Sequence, residues 1–105
     1  MVSTLTLPEI GVDGGVRRQV LADHGALMFV AFRFNAGMEG APHHHRHVQA
    51  TVVRSGRFEF RQNGKTFTIN AGDSVVIPSN ALHGCVCLED GDLIDCFTPR
   101  RDDFL

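Results

Sequence analysis

Pro42-His43-His44-His45-Arg46-His47-Val48-Gln49, with Gly56 seven residues further on, decides how this chain is read. An extended backbone sends alternate side chains to the same face. His43, His45, His47 and Gln49 are therefore expected on one side of a strand, and His44, Arg46 and Val48 on the other. Imidazoles and a carboxamide gathered on one face are donor types that hold a divalent metal ion. A second half-site lies downstream in Gly72-Asp73-Ser74-Val75-Val76-Ile77-Pro78-Ser79-Asn80-Ala81-Leu82-His83, where a short apolar run between two turns leads to a lone histidine. Metal ligands usually come from separate segments that folding brings together, so His83 is a further candidate ligand.

Around these half-sites the chain reads as strands separated by turns, with no convincing helical period beyond its first two dozen residues. Asn63-Gly64 predicts a two-residue hairpin of type I′ between Arg57-Phe58-Glu59-Phe60-Arg61 and Lys65-Thr66-Phe67-Thr68-Ile69, both of which alternate with their aromatic and aliphatic residues inward. Leu27 to Phe34 is apolar on both faces and is expected deep in a sandwich. Further strands are expected at Arg17 to Ala22, Val48 to Ser55, Ser74 to Ile77, Leu82 to Cys87 and Asp92 to Phe97, and Met1 to Ile10 as an arm or edge strand. About eight short antiparallel strands make an all-β jelly-roll barrel able to enclose a small-molecule cavity.

At 105 residues the chain has the length of one domain, 1–105. A net charge of -2 gives no electrostatic reason to expect nucleic acid, and no apolar run approaches the span of a bilayer. With no basic start followed by an apolar block, a cytoplasmic protein is expected. The three cysteines are an odd number without redox or zinc-ribbon spacing, so disulfides are not expected. By parity with His83, Cys85 and Cys87 are expected to line the cavity as thiols, not to ligate metal.

With both half-sites placed, the chain resembles the cupins, whose motifs run G-x5-HxH-x3-E-x6-G and G-x5-PxG-x2-H-x3-N. His43, His45 and Gly56 fall on the first motif, with Gln49 at the Glu position and Gly37 and Gly40 near the leading Gly. Gly72, Pro78 and His83 fall on the second, where Asn80 replaces the second Gly and Cys87 the final Asn. The Gln variant, together with Asp95-Cys96-Phe97-Thr98-Pro99-Arg100-Arg101 near the C-terminus, is similar to the KdgF family of pectin and alginate breakdown. Val48 stands where that family often has Glu, Cys96 lies inside its last motif, and Leu82 replaces a common Pro.

The resemblance implies a double-stranded β-helix that opens the ring of 4,5-unsaturated uronate monosaccharides to the linear keto acid, as a homodimer. It implies one divalent ion (zinc, nickel, iron, cobalt or manganese) on His43, His45, Gln49 and His83, with Asp95, Phe97 and Arg101 as the catalytic and substrate-contacting group. His44 and His47 are then expected to be spectators, and His24 a surface residue. Four neutral ligands would leave the ion its full charge and favour Lewis acidity toward a uronate. Ring opening and tautomerisation need proton transfers but no electrons, which suits Asp95 as the acid or base. On the same face, Phe97 is expected to pack on the sugar, and Arg101 to fork onto the carboxylate. Two other readings of the motifs are a metal-dependent dioxygenase, which would consume oxygen, and a sugar-binding or sensing cupin, which would leave its ligand unchanged.

Overall fold

The computed structural model describes residues 7–105. Among them eight strands occur: β1 (Ile10–Gly11), β2 (Arg17–His24), β3 (Leu27–Phe34), β4 (Glu39–His43), β5 (Val48–Gln62), β6 (Lys65–Asn70), β7 (Ser74–Ile77) and β8 (His83–Thr98). Single 3-10 turns occupy Asp13–Gly15 and Asp102–Phe104. All pairings are antiparallel, in the order β1-β2-β3-β8-β5-β6, with β4 also on β8 and β7 also on β5. The all-β jelly-roll expected from the sequence is therefore present.

Two long strands organise the barrel. β5 and β8 pair from Val48↔Thr98 to Gln62↔His83, and each passes from one wall of the barrel to the other at a corner where the register shifts. Gly56 has φ +78° there, and a Cβ on it would lie 2.6 Å from the carbonyl oxygens of Glu89 and Asp90. A Cβ on Gly91 would lie 2.1 Å from the Ser55 carbonyl oxygen. Only paired glycines let the two backbones meet so closely while turning. This corner corrects the expected element list: Val48 to Ser55 and Arg57 to Arg61 are one strand, as are Leu82 to Cys87 and Asp92 to Phe97, which fuse into β8 starting at His83.

Other expectations are sharpened or corrected. Asn63 and Gly64 both take positive φ and join Gln62↔Lys65, the predicted hairpin. β4 was not expected, because Glu39-Gly40-Ala41-Pro42-His43 lacks both alternation and strand-forming residues. Of the expected arm, Met1–Thr6 lie outside the described residues, and the part that is a strand is the short β1, paired with Arg17 and Arg18. β3 is not buried on both faces: Met28 and Val30 are fully buried, while Leu27 and Phe29 are 40% and 42% exposed.

Phe34, Val53, Phe58, Phe60, Ile77 and Leu93 fill the packed interior around the corner. On the opposite, outer face Phe29 aligns with Cys96, Cys96 with Ala50 and Ala50 with Val76, so an apolar row crosses four strands, flanked by exposed Leu27, Val48 and Val52. Among the described residues no helix is long and apolar enough to cross a membrane.

Candidate active site

The site begins with parity on the inner sheet face. Gln49 and Thr51 point inward from β5, and Phe97 and Asp95 stand directly opposite on β8. From the other wall β4 ends at His43, in register with His83 at the start of β8. A cavity of about 480 Å³ opens between them, with His43, Gln49, His83, Asp95, Phe97 and Arg101 on its wall.

The histidines come together by a different route from the one expected. Residues 44–47 are not strand, so His43, His45, His47 and Gln49 do not share one pleated face. The turn before His83 shapes this loop instead: the Asn80 amide donates to the His45 carbonyl (2.7 Å) and the Ser79 hydroxyl to the Arg46 carbonyl (2.7 Å). Asn80 sits at φ 62°, where the cupin pattern has Gly, and Asn is among the few other residues that tolerate that conformation. The outcome is that ligand atoms of His43, His45 and His83 lie within 4.8 Å of one another.

Each of these three rings donates its Nδ1–H to a backbone carbonyl: His43 to Ala41 (2.8 Å), His45 to His47 (3.0 Å) and His83 to Ala81 (2.9 Å). A carbonyl only accepts, so the neutral rings carry their lone pairs on Nε2, the arrangement found in metal-ligating histidines. Burial lowers the pKa of His45, aided by the Arg101 charge, and brings that of His83 down to about 4. His45 and His83 are therefore neutral near pH 7. His83 Nε2 is buried and has no hydrogen-bond partner.

The fourth donor adds a sharper test of fit. Thr51 gives its only hydroxyl proton to Asp95 Oδ1 (2.5 Å), so it accepts from the Gln49 amide nitrogen (3.0 Å). Gln49 Oε1 is thereby turned toward His45 Nε2, 3.0 Å away. With the His45 proton on Nδ1, two acceptors face each other at hydrogen-bond distance. A cation bound by both atoms would turn this repulsion into attraction, and the unpartnered Nε2 of His83 has the same need. The donor set fits one divalent ion.

Asp95 is fully buried against Thr51, and burial pushes its pKa up to about 7. Phe97, also buried, sets its ring 5.7 Å from His45 and 5.6 Å from Phe104. Arg101 stacks over Phe97 and Phe104, and both Nε and Nη2 donate to the Asp103 carboxylate (2.9 and 2.8 Å). Cys85 is on the cavity wall, with burial pushing its thiol up to about 12. Cys87 is not there: it is packed in the apolar interior, because β8 enters the core as it approaches the corner. His44 and His24 are exposed. His47 lies outside the three-histidine group but is not idle at the surface; it is buried, and its carbonyl anchors His45.

Two site features were missed in the sequence. Thr51 could have been found, since it stands two residues from Gln49 on one strand and shares its face. Arg18 and Phe104, which meet at the cavity wall from β2 and the C-terminal turn, carried no local signal.

A family model described as the Cupin domain matches residues 30–94. The pectin degradation protein KdgF of Dickeya dadantii (strain 3937) is 39% identical over 93 residues, covering 87% of this chain and 84% of that one. The structure of KdgF from Halomonas sp. superposes with a TM-score of 0.90 at 39% identity, over 94% of this chain and 92% of that one. An RmlC-like cupin from Shewanella frigidimarina NCIMB 400 does so with a TM-score of 0.90 at 40% identity, over 93% and 88%.

Proposed function

Because the chain belongs to the KdgF family of the cupins, we propose that it is a metal-dependent isomerase acting on 4,5-unsaturated uronate monosaccharides in pectin or alginate breakdown. It opens the sugar ring to give the linear keto acid. The observation that carries this reading is Asp95, a buried acid whose pKa is pushed up to about 7, on one cavity wall with Gln49, His43 and His83.

The chemistry balances without an external reagent. The anomeric hydroxyl loses a proton as the C1–ring oxygen bond breaks, and the electron pair of that bond goes to the ring oxygen. The resulting enolate becomes a ketone when the alkene carbon C4 gains a proton. No electrons and no net water are consumed, so a positioned acid and base suffice. Thr51 occupies Asp95 Oδ1. Oδ2 is then the atom that delivers a proton and, once charged, accepts one. Phe97 supplies an apolar surface beside the acid, and the Arg101 guanidinium, fixed by Asp103, offers its remaining N–H groups to the uronate carboxylate. A divalent ion held by the neutral donors of His43, His45, Gln49 and His83 would keep its full charge and supply Lewis acidity to a sugar oxygen.

The test is to incubate metal-loaded protein with the unsaturated uronate released by a pectate or alginate lyase, following loss of its ultraviolet absorbance against the spontaneous rate. Acceleration that disappears in His83→Ala, together with its bound metal, is expected. No acceleration with metal bound would sink the reading.

The apolar row on the outer sheet face is suited to a second copy of the chain, since Phe29, Val48, Val52 and Val76 are all exposed apolar side chains along it. A homodimer in sedimentation that becomes monomeric in Phe29→Glu is expected. A wild-type monomer at the same concentration would refute the pairing.

A further inference from the structure

Arg18 is a cation whose partner is missing from the cavity wall. It lies on β2 in register with Phe32, half-buried, with its guanidinium 4.1 Å from the centroid of Phe104. The Arg101 guanidinium lies 4.2 Å from the centroid of the same ring. The two arginines have different electrostatic surroundings. Arg101 is neutralised by Asp103, to which it donates two hydrogen bonds, whereas Arg18 makes no side-chain hydrogen bond or ion pair among the described residues.

Taking a guanidinium partly out of water without a counter-charge costs free energy, and stacking on an aromatic ring offsets only part of it. The cost is consistent with the lowered pKa of Arg18, caused first by burial and opposed by the Asp103 charge. Asp95, the buried acid of the same cavity, gives its Oδ1 to the Thr51 hydroxyl and forms no ion pair with Arg18. The missing counter-charge is then that of a ligand. A planar guanidinium immobilised on a ring is preorganised for the two oxygens of a carboxylate.

We propose that Arg18 is an anion-recognition residue of this cavity, receiving the carboxylate of the substrate, with Phe104 as the platform that holds it beside Arg101. The inference rests on the uronate reading for the identity of that carboxylate. It predicts that an acidic sugar is preferred over its neutral counterpart through a residue of β2, far in sequence from every metal-ligand candidate.

The experiment compares metal-loaded wild type, Arg18→Gln and Arg18→Lys in thermal melts with galacturonate and with neutral galactose. Michaelis kinetics on the unsaturated uronate run alongside. Galacturonate is expected to raise the wild-type melting temperature more than galactose does, and Arg18→Gln to shrink that difference to what Arg101 alone provides. The KM of Arg18→Gln is expected to rise about 10- to 100-fold, as loss of a charged hydrogen-bond partner implies, with a much smaller change in kcat. Arg18→Lys keeps the charge without the fork and is expected to lie between. An Arg18→Gln protein that still distinguishes galacturonate from galactose as wild type does would overturn the inference, as would a wild type that does not distinguish them. Absence of turnover by wild type counts against the proposed reaction alone, because the melts judge Arg18 independently of it.

Discussion

The middle and the two ends of the β5–β8 pair do opposite things with the same architecture. Around the Gly56–Gly91 corner the inward positions are Val53, Phe58, Cys87 and Leu93, all buried in apolar contact. Toward the far ends the inward positions are Gln49, Thr51, His83, Asp95 and Phe97, four of them polar and all buried. Burying about one aromatic or aliphatic side chain contributes roughly 1.5–3 kcal/mol, while a poorly satisfied buried polar group costs about 1–3 kcal/mol. The corner thus stabilises a fold whose open end is held in an arrangement that favours a metal ion and a proton donor over stability.

The largest loss of stability is expected from substitution at the corner. Phe58→Ala removes a fully buried ring packed edge-on against Phe34, 5.1 Å between centroids, and is expected to cost about 3–5 kcal/mol. Urea unfolding reads this directly, and a loss below about 1 kcal/mol would mean the corner does not carry the fold.

The open end is expected to respond with the opposite sign. Burial raises the Asp95 pKa from 3.8 to about 7, so its stabilising contribution is present below pH 4 and is lost as pH rises through about 7. Asp95→Asn keeps an oxygen for the Thr51 hydroxyl but cannot ionise. In metal-stripped protein at pH 8 the variant is expected to be more stable than wild type by roughly 2–4 kcal/mol, with the gain vanishing near pH 4. Histidine titration is common to both proteins and cancels in the difference. Parallel stability curves from pH 4 to pH 8 would show that Asp95 is not held in its acid form.

The smallest effect belongs to the solvent side of the corner. Arg57 and Glu89 pair at 3.2 Å with both side chains largely exposed, and Arg57→Ala is expected to change stability by less than about 0.5 kcal/mol. A larger loss in the same urea titration would place structural weight on the solvent side of the corner as well as on its apolar interior.

The same division governs what could be read from the sequence. The hairpin at Asn63-Gly64 and the alternating strands beside it were legible because their signals are local: a turn that needs positive φ, and a period of two. Gln49 and His83 were legible through their motif spacing, and Asp95 through its neighbours in the C-terminal string. The loop that carries His45 was not, because hydrogen bonds from Ser79 and Asn80, more than thirty residues away, override the pleat that its histidines suggest. Leu27 and Phe29 misled in another way. Apolar character marks a buried surface without saying whether the same chain covers it. Arg18 was invisible because its meaning lies in a partner, Phe104, at the other end of the chain.

The most direct test of the account is turnover of the unsaturated uronate by Asp95→Asn, with bound metal quantified in the same samples. Wild-type metal content and a fall in kcat of about 100-fold or more, the contribution of a positioned acid, are expected. Undiminished turnover by a folded, metal-loaded Asp95→Asn protein would contradict it.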